Sequence, residues 1–259
     1  KFFYSGAVGV AVLALGSYIF GQITYDGRLQ GIFNSPNYLA MYLVPAVIIG
    51  TVLIKENRKK YALSLVFILV AIYLTYSFAA WTVMLMVWSW IFFLRRGGKK
   101  LFLGFLILAG LVFIWQLKTN KLNDLLNLDA RSSLSSRLMI WQSAGKIMTD
   151  NPVWGIGPGN FQDQYLEYQK YYPPYLEWAV PHPHNLYLAF YLYSGIIGLV
   201  AFLLLIFFWF KKIILQKKNQ MVLIALGIII YFLLHGLVDT TYFKNDLAVI
   251  FWLVFFLPL

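Results

Sequence analysis

The sequence predicts an all-α polytopic membrane protein of about eight transmembrane helices, with one large extracytoplasmic loop containing short helices. Three observations carry that prediction. Of the 259 residues, 61% are hydrophobic and 19% aromatic, and the mean hydropathy is +0.70, well above the ~45–50% apolar usage of soluble domains. The apolar residues are gathered in blocks of membrane-spanning length. The charges between those blocks alternate in sign bias along the chain.

Taken in order, segments 2–20, 38–54, 61–76, 78–94 and 101–117 form an N-terminal membrane region, 1–117. A polar island follows at 118–184, and segments 186–210, 221–238 and 246–259 complete a C-terminal region, 185–259. A perpendicular helix needs ~20 residues to cross ~30 Å, so the shorter segments must recruit polar neighbours or cross a thinned bilayer. Segments 61–76 and 78–94 are together too long for one crossing, and Thr75-Tyr76-Ser77 supplies a polar turn between them. The chain opens on Lys-Phe-Phe-Tyr with no Met and no cleavable signal pattern, which reads as an N-terminally truncated sequence.

The net charge of +11 resembles a nucleic-acid footprint until each charge is assigned to a side of the membrane. Lys1, Lys55, Arg58, Lys59, Lys60, Arg95, Arg96, Lys99, Lys100, Lys211, Lys212, Lys217 and Lys218 all fall on one face, 13 of the 21 basic residues, with Glu56 the only acid beside them. Short basic loops stay cytoplasmic, so the excess is a topology signal and no nucleic-acid partner is expected. The same rule places the island on the extracytoplasmic side, with the 21–37 loop, the Ser77 turn and the 239–246 connection on its face. Such a rim suits amphiphilic substrates arriving from membrane lipids. Cysteine is absent, which excludes disulfides and thiolate metal sites.

Within the island, Ser132 to Thr149 reads as a helix, because Leu134, Leu138, Trp141, Gly145 and Met148 recur at three-four spacing. Serines supply its start and Asp150-Asn151-Pro152 its stop. The pattern also fits a helix lying in the membrane interface, with Arg137 snorkelling to headgroups. Next comes Gly155-Ile156-Gly157-Pro158-Gly159-Asn160-Phe161. Its glycines allow backbone N–H groups to approach a ligand, but no strand precedes it and no Lys-Ser/Thr follows, so a tight turn accounts for it equally well. Tyr165, Tyr168, Tyr171, Tyr172, Tyr175 and Trp178 offer faces for sugar rings, although aromatics also collect at membrane interfaces for their amphipathic shape. The island closes on Pro181-His182-Pro183-His184-Asn185. An imidazole can take a proton from a hydroxyl near neutral pH. Two histidines one residue apart, with no carboxylate nearby in sequence, do not make a metal site.

His184-Asn185, nine residues, then Gly195-Ile196-Ile197-Gly198 resembles the His-Asn, nine-residue spacer, Gly-x-x-Gly signature of the O-antigen ligase and polymerase superfamily. Arg28-Leu29-Gln30-Gly31-Ile32-Phe33-Asn34-Ser35-Pro36-Asn37 is similar to its Arg-x-x-Gly-x-Phe-x-x-Pro-Asn element. Arg137 to Trp141, Asn151-Pro152 and Gly155 to Phe161 resemble its Arg-x-x-x-Trp, Asn-Pro and Gly-x-Gly-x-Gly-Asn-Phe run. His235, Asp239 and Asn245 look like its C-terminal His-x-x-x-Asp element. The chain departs from the family at Ser77-Phe78-Ala79-Ala80, where relatives often carry a Ser-Arg-Gly-like run, and at Leu199.

The resemblance implies a metal-independent, inverting glycosyltransferase that needs no cofactor and sits in the bacterial inner membrane. Such an enzyme moves a glycan from undecaprenyl pyrophosphate to an acceptor hydroxyl of a lipid or glycan on the extracytoplasmic side. It implies His184 as the base, with Arg28 and Arg137 as the catalytic cations on the departing diphosphate. Asn37, Trp141, Gly157, Gly159, Asn160, His182, Asn185, His235 and Asp239 are the expected substrate-binding positions. Asp239 and His235 are also placed to pair with each other for helix packing. Within this resemblance, a repeat-unit polymerase is the alternative to a ligase. A transporter of the same lipids is the rival from another class, for which internal repeats or broken helices near the membrane midplane would be the sign.

Overall fold

A computed structural model of the chain describes residues 1–54, 56–96, 103–104, 107, 110–111, 133–172, 180–216 and 219–258. The predicted segment 101–117 lies largely outside the described residues, as do island residues 118–132, Tyr175, Trp178, Lys55, Lys99, Lys100, Lys217 and Lys218. All regular structure among the described residues is helical. Two compact units are formed. One comprises Lys1–Phe113, Gln216–Phe232 and Asp246–Leu259, and the other Ile114–Leu215 and Leu233–Asn245.

The first unit contains α1 (Phe2–Ile19), α2 (Pro36–Leu53), α3 (Arg58–Leu74) and α4 (Phe78–Arg96). It also holds most of α8 (Gln220–His235) and all of α9 (Asn245–Phe256). Helix α2 begins where the sequence provides a cap, since the Ser35 side chain accepts from the Tyr38 N–H and Pro36 occupies the first turn. It is the central helix, with 72% of its apolar span buried against 22% for α1. Helix α1 meets its neighbours through a stripe of small residues, Ala7, Ala11 and Ala14, spaced so that backbones approach closely. At Gly50 of α2 a methyl group would stand 2.6 Å from the Tyr4 ring and 2.9 Å from Leu65, so this glycine is where α1, α2 and α3 converge. Two polar ties cross the apolar interior: Tyr4 Oη with Ser64 Oγ at 2.6 Å, and Trp88 Nε1 donating to Thr51 Oγ1 at 3.0 Å. Gly227 of α8 lies against Ile48, Val87 and Ile91, and Phe232 packs on Phe251 of α9.

The loop between α1 and α2 is fastened to the C-terminus of α3. There the Leu29 N–H donates to the Leu74 carbonyl at 2.9 Å, and Arg28 Nε donates to the Thr75 carbonyl at 2.8 Å. Helix ends leave carbonyls unsatisfied and carry partial negative charge, so a guanidinium is well suited to this position. Thr75 to Ser77 forms the turn expected between α3 and α4.

The second unit contains α5 (Ser133–Asp150), α6 (Phe161–Tyr168), a 3₁₀ turn (Gln169–Tyr171) and α7 (Leu186–Ile213). Ile140, Ala144, Ile147, Phe161, Tyr165, Val180 and Leu192 form its core. Helix α5 therefore has a protein partner on one side, but its buried face is rotated from the one the periodicity suggests. Met139, Ile140, Ser143, Ala144 and Ile147 are buried, whereas Leu138 is exposed and Trp141, Gly145 and Met148 are half-buried. Small residues at 143 and 144 allow the close approach that bulkier positions would prevent.

By length and composition, α1, α2 and α7 are able to cross a membrane, and Phe78–Ile91, α8 and α9 are shorter apolar helices. Helix α7 is not one rod. Gly195 breaks it with φ 69 and ψ −174, a backbone region open essentially to glycine alone. The cause is a backbone interlock with the glycine-rich loop. The Ile156 N–H donates to the Leu192 carbonyl at 2.7 Å, the Ile196 N–H donates to the Val153 carbonyl at 3.2 Å, and Tyr191 Oη donates to the Pro152 carbonyl at 2.6 Å. A methyl group on Gly155 would stand 2.4 Å from the Leu192 oxygen, and one on Gly195 would stand 1.9 Å from the Val153 oxygen.

Candidate functional site

The site begins at the start of α7. Asn185 caps the helix, its Oδ1 accepting from the Tyr187 and Leu188 N–H groups at 2.9 and 3.0 Å. Its Nδ2 donates to the Leu237 carbonyl at 2.9 Å, and the Leu186 N–H donates to the Gly236 carbonyl at 2.6 Å. The beginning of α7 is thereby bound to the turn that follows α8. Trp141 of α5 adds a third attachment, its indole N–H donating to the Pro183 carbonyl at 3.0 Å. Asn185 and Trp141, expected to meet substrate, have these polar groups engaged in holding the loop.

His184 occupies the point these attachments define, in the left-handed backbone region with φ 46. Histidine visits that region more readily than most residues, at a cost of ~1–3 kcal/mol, so the strain is borne by the fixed residues on either side. Its Nδ1 lies 3.5 Å from Asp239 Oδ1. That is an ion-pair distance rather than a hydrogen bond, and Nδ1 is buried without a hydrogen-bond partner among the described residues. The side chain as a whole is 36% exposed, so the exposed part of the ring lies away from Nδ1, leaving Nε2 as the nitrogen able to meet a ligand.

Asp239 is 3% exposed and its Oδ1 also accepts from the Thr240 N–H at 2.7 Å. Burial alone would push this carboxyl up, but the charges of His184, His235 and Lys244 around it hold it well below the usual carboxylate range. Asp239 thus remains an anion across physiological pH. An anion beside Nδ1 favours the imidazole tautomer that carries its proton there and leaves the Nε2 lone pair free. Sequence spacing placed Asp239 next to His235. In the structure its N–H donates to the His235 carbonyl at 3.1 Å while its carboxylate turns to His184.

Arg137 reaches the same turn from α5, its Nε donating to the Val238 carbonyl at 2.9 Å. His235 is buried at the last residue of α8. His182 is half-buried, with Nδ1 3.3 Å from Tyr193 Oη. Burial, then the charges of Lys244 and His184, push its imidazole down to about 4 against the opposing pull of Asp239. It is therefore neutral at pH 7 and serves the loop. In the glycine-rich loop, Asn160 Nδ2 donates to the Ile156 carbonyl at 2.7 Å, and Gly157 and Gly159 both have positive φ. Gly155 and Gly195, which the sequence reading did not select, carry the interlock. Both stand at fixed positions of the glycine patterns, and that pairing was the available signal.

Arg28 and Asn37 belong to the other unit and bind each other, Arg28 Nη2 donating to Asn37 Oδ1 at 2.8 Å. Arg28 Nη1 lies 3.8 Å from Asp26. With Nε on the Thr75 carbonyl, the guanidinium plane is fixed and its side chain is 22% exposed. Among the described residues, no group of three or more His, Cys, Asp or Glu is arranged to hold a metal ion.

The chain is thus a helical protein with membrane-type helices, in which a histidine–carboxylate pair and an arginine of α5 converge on one anchored turn. The chain matches the O-antigen ligase family model over residues 63–203, 141 of its 259 residues, and it belongs to that family. The match takes in Arg137, the glycine-rich loop, His184 and Gly195, while Arg28, His235 and Asp239 lie outside it. Membership makes the protein a glycosyltransferase-like enzyme of the ligase or polymerase kind. No curated protein is similar enough to match.

Proposed function

We propose that the protein transfers a glycan from undecaprenyl pyrophosphate to an acceptor hydroxyl at the extracytoplasmic face of the bacterial inner membrane, as an O-antigen ligase-like enzyme. His184 Nε2 accepts the hydroxyl proton as the oxygen attacks the anomeric carbon from the side opposite the diphosphate. The bond from that carbon to the diphosphate oxygen breaks, the configuration inverts, and undecaprenyl pyrophosphate departs. Arg137 is the cation of this unit for the charge that develops on the diphosphate, since a guanidinium stays ionised and engages phosphate oxygens in pairs. His235, Gly157, Gly159 and Asn160 shape the surroundings of the donor.

The observation that carries this reading is the Asp239 carboxylate facing Nδ1 of a strained, half-exposed His184. That arrangement supplies a general base, which transport of a lipid does not require. The asymmetry of basic loops supports the extracytoplasmic assignment. A repeat-unit polymerase uses the same centre with a lipid-linked acceptor, and is the second reading.

Full-length protein in lipid nanodiscs, given lipid-linked repeat units with and without candidate acceptors, tests the reaction. Chain elongation without an added acceptor identifies a polymerase, and transfer only to an added acceptor identifies a ligase. Lipid movement with no new glycosidic bond would instead mean a transporter. A second expectation concerns Asp239→Asn, which keeps the acceptor for the Thr240 N–H and removes the charge. Its kcat should fall roughly 10²–10⁴-fold, with the KM for the lipid-linked donor little changed. Initial-rate measurements at wild-type level would remove Asp239 from the mechanism.

A further inference from the structure

Beyond the reaction centre, the second unit contains a cleft of about 540 Å³ between the end of α5, α6 and the 3₁₀ turn. This lies within the ~300–1,000 Å³ typical of small-molecule sites. Lys146, Asp150, Glu167, Tyr168, Lys170 and Tyr171 contribute most of its wall, joined by Tyr172. Two of its polar groups are already ordered around Asp150, which accepts from Lys146 Nζ at 2.7 Å and from Tyr168 Oη at 2.9 Å. Glu167 adds a second carboxylate to the wall, and Tyr171 and Tyr172 add aromatic faces and hydroxyls. The Tyr171 ring is 64% exposed, with Lys170 Nζ 5.1 Å from its centre on one side and the Tyr168 ring 6.5 Å away, nearly perpendicular.

The chemistry of this wall selects a ligand class. Among the described residues, the two lysines and two carboxylates of the wall cancel in charge, so the cleft does not favour a diphosphate, which needs a net cation. It does offer donors, acceptors and aromatic faces at close range. That combination suits a polyhydroxylated ring, whose apolar face lies on an aromatic and whose hydroxyls both give and accept hydrogen bonds. Its location adds a second condition. Arg137 reaches the His184 turn from near the start of α5, and Asp150 ends the same helix 13 residues later, a separation of about 20 Å. A sugar in the cleft is therefore remote from the bond being made.

We propose that this cleft is a distal glycan subsite, which holds sugars of a lipid-linked or acceptor chain several units away from the reacting one. The inference rests on the glycosyltransferase reading above and adds to it a built-in preference for long glycans. Remote binding of this kind appears in KM rather than kcat when it is equal in the ground and transition states.

Tyr171→Ala tests it, because the side chain is exposed and its loss leaves the core intact. With full-length protein in nanodiscs, the variant should raise KM about fivefold for long glycans and leave short ones and kcat unaffected, whereas Tyr171→Phe should behave as wild type. Whether the donor KM or the acceptor KM rises identifies which chain occupies the cleft. In parallel, saturation-transfer NMR uses the repeat-unit oligosaccharide released by mild acid from the producing cells' own polyprenyl-linked pool. The oligosaccharide should bind the wild type and bind Tyr171→Ala about fivefold more weakly. Equal affinity and equal KM in Tyr171→Ala would overturn the subsite while leaving the reaction standing. Tyr171-dependent binding by a wild type that forms no glycosidic bond would retain the subsite and overturn the reaction.

Discussion

His184→Ala should remain inserted in the membrane and transfer glycan about 10²–10⁴-fold more slowly than wild type, the range for loss of one well-placed general base. The structure gives reasons to expect the fold to survive. His184 is half-exposed, its Nδ1 makes no hydrogen bond among the described residues, and the loop is held by Asn185, Trp141 and the Leu186 N–H. Alanine tolerates the left-handed backbone less well, so His184→Asn is the companion variant, because asparagine adopts positive φ readily and offers no comparable base. Added imidazole should restore part of the rate to His184→Ala by entering the vacated space beside Asp239. Initial rates with lipid-linked donor decide the matter. Unreduced transfer in both variants would eliminate His184 as the base.

The second large effect is one of stability. Gly195→Ala should cost about 3–5 kcal/mol, from a backbone conformation that alanine scarcely adopts and a methyl group 1.9 Å from the Val153 oxygen. Because that oxygen belongs to main chain, relief requires separating α7 from the glycine-rich loop, with loss of the Ile156 and Ile196 hydrogen bonds. Thermal unfolding in detergent, followed by loss of monodisperse protein, should show a lower midpoint. A midpoint equal to wild type would mean that the interlock is dispensable. By contrast, Gly6→Ala, where nothing lies within 4 Å of the added carbon, should leave stability unchanged.

How far the sequence could be read depended on what kind of interaction decided each feature. Helices of the first unit were legible because hydropathy selects them, and Ser35-Pro36 and Thr75 to Ser77 mark boundaries by local chemistry alone. The helix at Ser133–Asp150 was legible in extent, but not in its buried face. Ser143 lies off the stripe of Leu134, Leu138, Trp141, Gly145 and Met148, yet it is fully buried, because a small side chain fits where α5 packs closely. His184 and Asp239 were both legible as individual candidates. Their pairing was not, since it depends on the Asn185 and Leu186 hydrogen bonds that join residues some fifty positions apart. Asn185 shows the converse: a polar residue beside a base invites a substrate role, whereas a helix beginning at Leu186 needs its first N–H groups capped.

The break at Gly195 also divides what the helix presents to its surroundings. A hydropathy profile registers Leu186–Ile213 as a single continuous signal of 28 residues, about 42 Å of helix and more than a bilayer core requires. The portion after the break, 196–213, amounts to about 27 Å and displays Ile197, Val200, Leu204, Phe207 and Phe208 outward, as a lipid-facing surface would. The portion before it buries Leu186, Ala189 and Leu192 against the rest of its unit. One helix of the sequence thus carries two surfaces: two and a half turns clasped by protein through the glycine-rich loop, and after the break an outward apolar face.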